Sequence, residues 1–166
     1  TGGMGMTASD SHGDTVGLRT DGLVLKLLHD NFANALPVTV NGNSPQKPIK
    51  GVAGIDTSAK PSGSPTYPLD IFAAISADRK TLAISVINPT ETAQDCSLNL
   101  TGVQPAGAAT LYQVTAPVGA SAATAGRGRG GFSGPPATMA EQSLSELPRK
   151  ITVPAASISI YKLAVK

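Results

Sequence analysis

Leu69-Asp70-Ile71-Phe72-Ala73-Ala74-Ile75-Ser76 and Thr81-Leu82-Ala83-Ile84-Ser85-Val86-Ile87-Asn88 are two apolar, β-favouring runs, separated by the short polar stretch Ala77-Asp78-Arg79-Lys80. Two such runs joined by about four polar residues predict a β-hairpin. In the second run Leu82, Ile84 and Val86 fall on one face, and Thr81, Ala83 and Ser85 on the other. A strand of this kind is expected to bury one side only, as in a layer of an antiparallel sandwich.

Outward from this hairpin the same alternation recurs. Leu36-Pro37-Val38-Thr39-Val40 reads as a first strand, ended by the turn residues Asn41-Gly42-Asn43-Ser44-Pro45. Residues 46–68, rich in proline and glycine, form a long connection. Cys96, Leu98 and Leu100 alternate with Ser97 and Asn99, and Thr110–Val114 repeats the pattern. Lys150–Pro154 and Ser157–Val165 close the chain. Ile158 and Ile160 share one face of the last run, with Tyr161, Leu163 and Val165 on the other, which predicts a strand covered on both sides. Thr20–Phe32 changes period. Leu23, Leu27 and Asp30, and likewise Val24, Leu28 and Phe32, fall on helical spacing, with Thr20 or Asp21 as N-cap and Asn31 and Asn34 as stop signals. This helix carries more apolar surface than it can hide alone and is expected to dock on something larger. Thr1–Arg19 reads as a loop or flexible arm, and 116–147, low in complexity, as a mobile insertion. The expected architecture is an antiparallel, jelly-roll-like β-sandwich of about seven strands with one N-terminal helix. Its parts are an arm over 1–19, the helix over 20–33 and the sandwich over 34–166 with its insertion at 116–147.

At 166 residues the chain suffices for one domain with an appended arm. A net charge of +2 gives no field that favours nucleic acid or an anionic membrane. Charged residues are 14%, against about 25% in a typical globular protein, which fits a surface covered by a neighbouring domain or a secreted surface rich in Ser, Thr and Ala. The 18 glycines and 13 prolines exceed the usual share of about 12%. Aromatics are 4% and tryptophan is absent, which counts against a platform that stacks sugar rings. No apolar run reaches membrane-spanning length, and no basic-then-apolar leader opens the chain. Thr1-Gly2-Gly3 lacks an initiator methionine, as a processed or internal end would.

Candidate chemistry is sparse. Cys96 stands alone, so neither an internal disulfide nor a cysteine metal site can form, and a buried inert thiol is expected. Asp10, His12 and Asp14 alternate like metal ligands, though one histidine between two aspartates in a loop is ordinarily solvated surface, and no metal or other cofactor is expected. Glycoside hydrolysis needs two carboxylates, but Glu91 sits in a turn and Glu141 and Glu146 follow the insertion. A serine nucleophile needs a base, and the histidines are His12 in the arm and His29 near the helix C-terminus. Arg127-Gly128-Arg129-Gly130-Gly131-Phe132 resembles an RGG-type RNA-binding segment, but as one short copy in a chain of small net charge it reads as a flexible surface loop; Asn99-Leu100-Thr101 matches a glycosylation acceptor, which matters only in a eukaryotic secretory pathway. No catalytic, cofactor or metal residue is assigned.

The order of segments resembles the α-L-arabinofuranosidases of glycoside hydrolase family 51 over most of residues 20–166. Thr20–Phe32 looks like that family's last barrel helix, and Pro37-Val38-Thr39-Val40 like the strand that leaves the barrel. Asp78–Leu82 with Ser85–Thr90 is similar to its C-terminal hairpin, and Val153-Pro154 with Ser157-Ile158 and Tyr161 resembles its closing strand. The insertion at 116–147 is longer and richer in glycine than in that family, and its Asn-x-x-x-x-Pro segment is missing. The resemblance implies a non-catalytic C-terminal sandwich that braces a (β/α)8 barrel, in cis or as a separate chain. The barrel carries the two catalytic glutamates and acts on arabinose-bearing plant glycans. No position here matches either glutamate. It further implies that residues 1–19 correspond to a barrel loop on the catalytic face, bringing His12, Asp10 or Asp14 towards substrate in the intact enzyme. A free-standing carbohydrate- or protein-binding module is the alternative, and a structural surface protein a third. A homo-oligomer, and secreted, periplasmic or cytoplasmic settings, are all compatible with these residues.

Overall fold

The computed structural model describes residues 7–9, 15–18, 20–44, 65–118 and 137–166. The hairpin lies where the two apolar runs place it: β4 (Asp70–Ile75) pairs antiparallel with β5 (Thr81–Asn88), and Ile71, Ala73 and Ile75 face Val86, Ile84 and Leu82. Its turn is held by side chains. Ser76 Oγ donates to Asp78 Oδ1 at 2.6 Å, Lys80 N donates to the same oxygen at 3.1 Å, and Arg79 takes the left-handed conformation at φ 59°. The Ser76 hydrogen bond, seconded by the Lys80 amide, holds the Asp78 carboxyl below its ordinary range. That contribution to stability is present above the ordinary carboxylate range and fades as pH falls through the lowered value.

Ten strands are described among these residues, more than the sequence pattern suggests. Six form one antiparallel sheet in the order β3 (Leu36–Val38), β4, β5, β10 (Ser157–Val165), β7 (Pro105–Thr115), β8 (Thr138–Leu144). β6 (Gln94–Ser97) and β9 (Lys150–Val153) form a two-stranded second layer, and β1 (Thr7–Ser9) and β2 (Thr15–Leu18) a separate hairpin. Three expectations are thereby corrected. Thr7–Ser9 and Thr15–Leu18 pair as antiparallel strands where the sequence reads as a loop or flexible arm: Thr7, Thr15 and Val16 favour strand, but two runs this short give no readable period. The segment 116–147 contains β8, an edge strand whose Thr138–Ser143 are all exposed, so its sequence need not alternate. β5 buries both faces: Ala83 and Ser85 are 3% and 0% exposed.

The two covers of β5 explain the core. On the inner face Leu82, Ile84, Val86, Tyr161, Leu163 and Val165 pack with Ile151 and Val153 of β9. On the outer face lies α1 (Thr20–Phe32). Its Leu27 packs with Ile160, Val114 and Ala137, flanked by Val24, Leu28 and Phe32. Each such fully buried aliphatic side chain contributes about 1.5–3 kcal/mol. The Phe32 and Phe72 rings stack at 4.7 Å between centroids, tilted by 49°. β10, central in the sheet, is buried on both faces as its sequence predicts. The helix ends at the expected stop, where Asn34 is left-handed at φ 59° and Ala33 N donates to His29 O at 3.0 Å. The side chains of the expected caps, Thr20 and Asp21, lie outside the described ones.

Candidate functional site

The outer face of the sheet carries the most distinctive surface. α1 crosses the row Phe72, Ser85, Ile160 and Tyr112, which adjoin across β4, β5, β10 and β7. Ser85 Oγ and, on the helix, Asn31 Oδ1 are buried here without a hydrogen-bond partner among the described residues; Asn31 Nδ2 donates to Leu27 O at 2.8 Å. The helix hides Leu27 but leaves Leu25 50% exposed. Phe72 on β4 is 38% exposed and Met139 on β8 47%, so apolar side chains flank the helix on both sides. Where the helix ends, Phe32, Ala35, Pro37, Val38, Phe72 and Ala74 line an apolar groove of about 430 Å³ around β3. Lys26 and Asp30 pair on the solvent side, and the Lys26 hydrogen bond holds the Asp30 carboxyl below its ordinary range.

A second opening lies inside the sandwich. A cavity of about 740 Å³ separates Ile71, Ala73 and Ile75 of the large sheet from Cys96, Leu98 and Leu100 of the small layer. Cys96 is half-buried at this wall rather than fully buried, because β6 is a sheet edge. Burial pushes its thiol up from the ordinary value, and Sγ lies 3.8 Å from Ser97 O. Less thiolate at a given pH means slower attack. Iodoacetamide should therefore alkylate Cys96 more slowly than glutathione at mildly alkaline pH, the gap closing as pH rises. Timed intact-mass spectra check this, and a rate equal to that of glutathione would contradict it.

The sequence-derived candidates do not converge. Glu91 is exposed in the bend after β5, Glu141 is exposed on β8 and Glu146 is exposed just beyond it. His29 is exposed in the last helical turn. Asn99 and Thr101 are exposed in the irregular stretch after β6. Asp10, His12 and Asp14 and the segment 127–132 lie outside the described residues. Among the described residues no three His, Cys, Asp or Glu side chains gather as metal ligands would.

One residue of structural consequence escaped the sequence reading. Asn88, 1% exposed at the end of β5, donates Nδ2 to Thr92 O at 2.8 Å, Val153 O at 3.1 Å and Pro154 O at 2.9 Å. Its Oδ1 accepts from Thr90 N at 3.0 Å and Thr90 Oγ1 at 2.7 Å. It thus joins the large sheet to β9. The signal in the sequence is Asn88-Pro89-Thr90, an asparagine whose side chain can bond the backbone two residues on.

No family model matches the chain, and no curated protein matches it. Among solved structures it is similar to the thermostable GH51 α-L-arabinofuranosidase from Thermotoga petrophila RKU-1, at 26% identity and a TM-score of 0.41, over 57% of this chain and 18% of that one. It is similar to the α-L-arabinofuranosidase from Thermotoga maritima at 26% identity and a TM-score of 0.40, over 58% and 19%. A xyloglucanase of glycoside hydrolase family 44 from Paenibacillus polymyxa is similar at 14% identity and a TM-score of 0.40, over 58% and 16%. The chain spans less than a fifth of the length of each of these proteins.

Proposed function

We propose that this chain is the non-catalytic C-terminal β-sandwich of an α-L-arabinofuranosidase. In this reading 34–166 is the sandwich and Thr20–Phe32 doubles as the last helix of a (β/α)8 barrel, with residues 1–19 belonging to a barrel loop. The barrel supplies both catalytic carboxylates and hydrolyses arabinofuranosides of plant polysaccharides. The supporting observation is the outer face: Leu25, Phe72 and Met139 are 50%, 38% and 47% exposed on and around a helix already docked on its own sheet. Apolar side chains grouped on one side are characteristic of a surface that another unit covers. The ordered run of family-like segments supports the arabinofuranosidase identity of that unit.

The test uses the full-length polypeptide that contains this chain, assayed on 4-nitrophenyl α-L-arabinofuranoside. Leu25→Glu should leave the sandwich's own stability within about 0.5 kcal/mol, as for an exposed position. In the intact enzyme it should lower the temperature at which half the activity is lost, with kcat at low temperature unchanged. An intact enzyme without arabinofuranosidase activity rejects the substrate assignment. An unchanged inactivation temperature rejects the docking face.

A further inference from the structure

Two polar atoms beneath α1 have no hydrogen-bond partner among the described residues, and their positions are related. Ser85 is 0% exposed in the middle of β5, on the outer face, and its Oγ is unpaired. Asn31 lies in the last turn of α1 and commits its Nδ2 to Leu27 O at 2.8 Å, which leaves Oδ1 buried and unpaired. A buried polar atom without a partner is costly, and native proteins leave few of them.

The packing sets one of these atoms over the other. Across the sheet Ser85 is flanked by Phe72 on β4 and Ile160 on β10. The helix touches both neighbours: Leu27 packs with Ile160, and the Phe32 ring meets the Phe72 ring at 4.7 Å between centroids. Asn31 follows Leu27 by one turn on the same side of the helix and directly precedes Phe32. It therefore lies over the stretch between Ile160 and Phe72, which is where Ser85 stands. A carboxamide oxygen only accepts, whereas a hydroxyl both donates and accepts. No bond joins the two directly. A water between them can donate one hydrogen to Asn31 Oδ1 and bond Ser85 Oγ with its other side, which satisfies both.

We propose that one buried water bridges Ser85 Oγ and Asn31 Oδ1 and thereby sets the register of α1 on the sheet. Apolar contacts such as those of Val24, Leu27 and Leu28 are non-directional and tolerate a helix shifted along its axis. The bridge does not, because a slide of one turn, about 5.4 Å, parts its ends and strands two buried polar atoms. The polar pair thus selects one seat for the helix, the best-attested use of polar groups in a core. The inference does not depend on the arabinofuranosidase reading.

Urea unfolding of the full chain and three variants tests it. Ser85→Ala should lower the folded-to-unfolded ratio about fivefold, as for a lost hydrogen bond. Removal of a truly orphaned hydroxyl would leave the ratio unchanged or raise it. Asn31→Ala should lower it further, since the bond to Leu27 O goes as well. In the double variant the loss should fall short of the product of the single losses by about fivefold, the signature of a shared partner. If Asn31→Ala prevents folding, Asn31→Ser is read in the same way. A crystal structure that shows ordered water should place one, shut off from solvent, within hydrogen-bond reach of both atoms. No loss in Ser85→Ala, single losses that simply multiply, or a direct Ser85–Asn31 hydrogen bond without water would each overturn the proposal.

Discussion

Asn88→Ala is expected to lower the unfolding free energy by about 3 kcal/mol. The carboxamide serves three carbonyls with two hydrogens and accepts from both the amide and the hydroxyl of Thr90. Alanine strands these groups in a buried place, and an unsatisfied buried polar group costs about 1–3 kcal/mol. The same knot includes Ala156 N donating to Thr90 O at 2.9 Å, so the turn before β10 loosens with it. In a domain of this size the midpoint of thermal unfolding should fall by roughly 6–12 °C. Asn88→Asp is the sharper comparison. It keeps the shape but replaces both donor hydrogens with an acceptor facing three carbonyls. Its carboxyl should resist ionising, so this variant should be less impaired at acidic than at neutral pH. Urea unfolding followed by circular dichroism measures both. A loss below about 1 kcal/mol for Asn88→Ala would show that the carbonyls find other donors.

Ile160→Ala should cost about 3–5 kcal/mol, the upper range for truncating a buried aliphatic side chain. Ile160 is 0% exposed, sits midway along the central strand and lies beneath Leu27 of the helix. Neighbours fixed on both sides by strand pairing cannot collapse into the space, so the cavity term is paid nearly in full. Because the helix rests there, its far-ultraviolet signal should melt at lower denaturant than the sheet's. Leu25→Ala, two residues from Leu27 but half exposed, should change stability by less than about 0.5 kcal/mol. Equal losses for the two variants would mean that the helix does not rest on the sheet as described.

Much of this fold is legible in local chemistry. The hairpin 70–88, the C-terminal end of the helix and the doubly buried β10 follow from period, turn residues and left-handed stops. What is not legible depends on tertiary partners. Ala83 and Ser85 look like a solvent face because small and polar side chains suit water, yet here they suit a helix lying close overhead. β8 carries no alternation because neither of its faces is buried. The first residues of β7, Pro105 to Ala108, lack β-branched side chains; Pro105 pairs with Val165 across a register shift that skips 106–108, with Gly107 at φ 119° where a side chain would be strained. The apolar outer surface is half legible: the excess of leucines on 20–32 calls for a packing surface, which the helix finds on its own sheet, while the exposure of Phe72 and Met139 depends on which strands lie beside them. Asn88 was readable in principle as an Asx turn, but its three distant acceptors were not.

The order of strands in space has a kinetic consequence. β10 follows every other described strand in the chain and yet occupies the middle of the six-stranded sheet, between β5 and β7. The β4–β5 and β7–β8 hairpins form from neighbours in sequence, but each waits for residues 157–165 to join it to the other. During synthesis the chain must carry two half-sheets with open edges until that strand emerges, the situation in which strand edges meet the wrong partner. Folding limited by such distant pairing is expected to be slow. The exposed charge of Glu141 on β8 and Pro37 in β3 then act in the nascent chain, where they guard the outer edges while the centre is still missing.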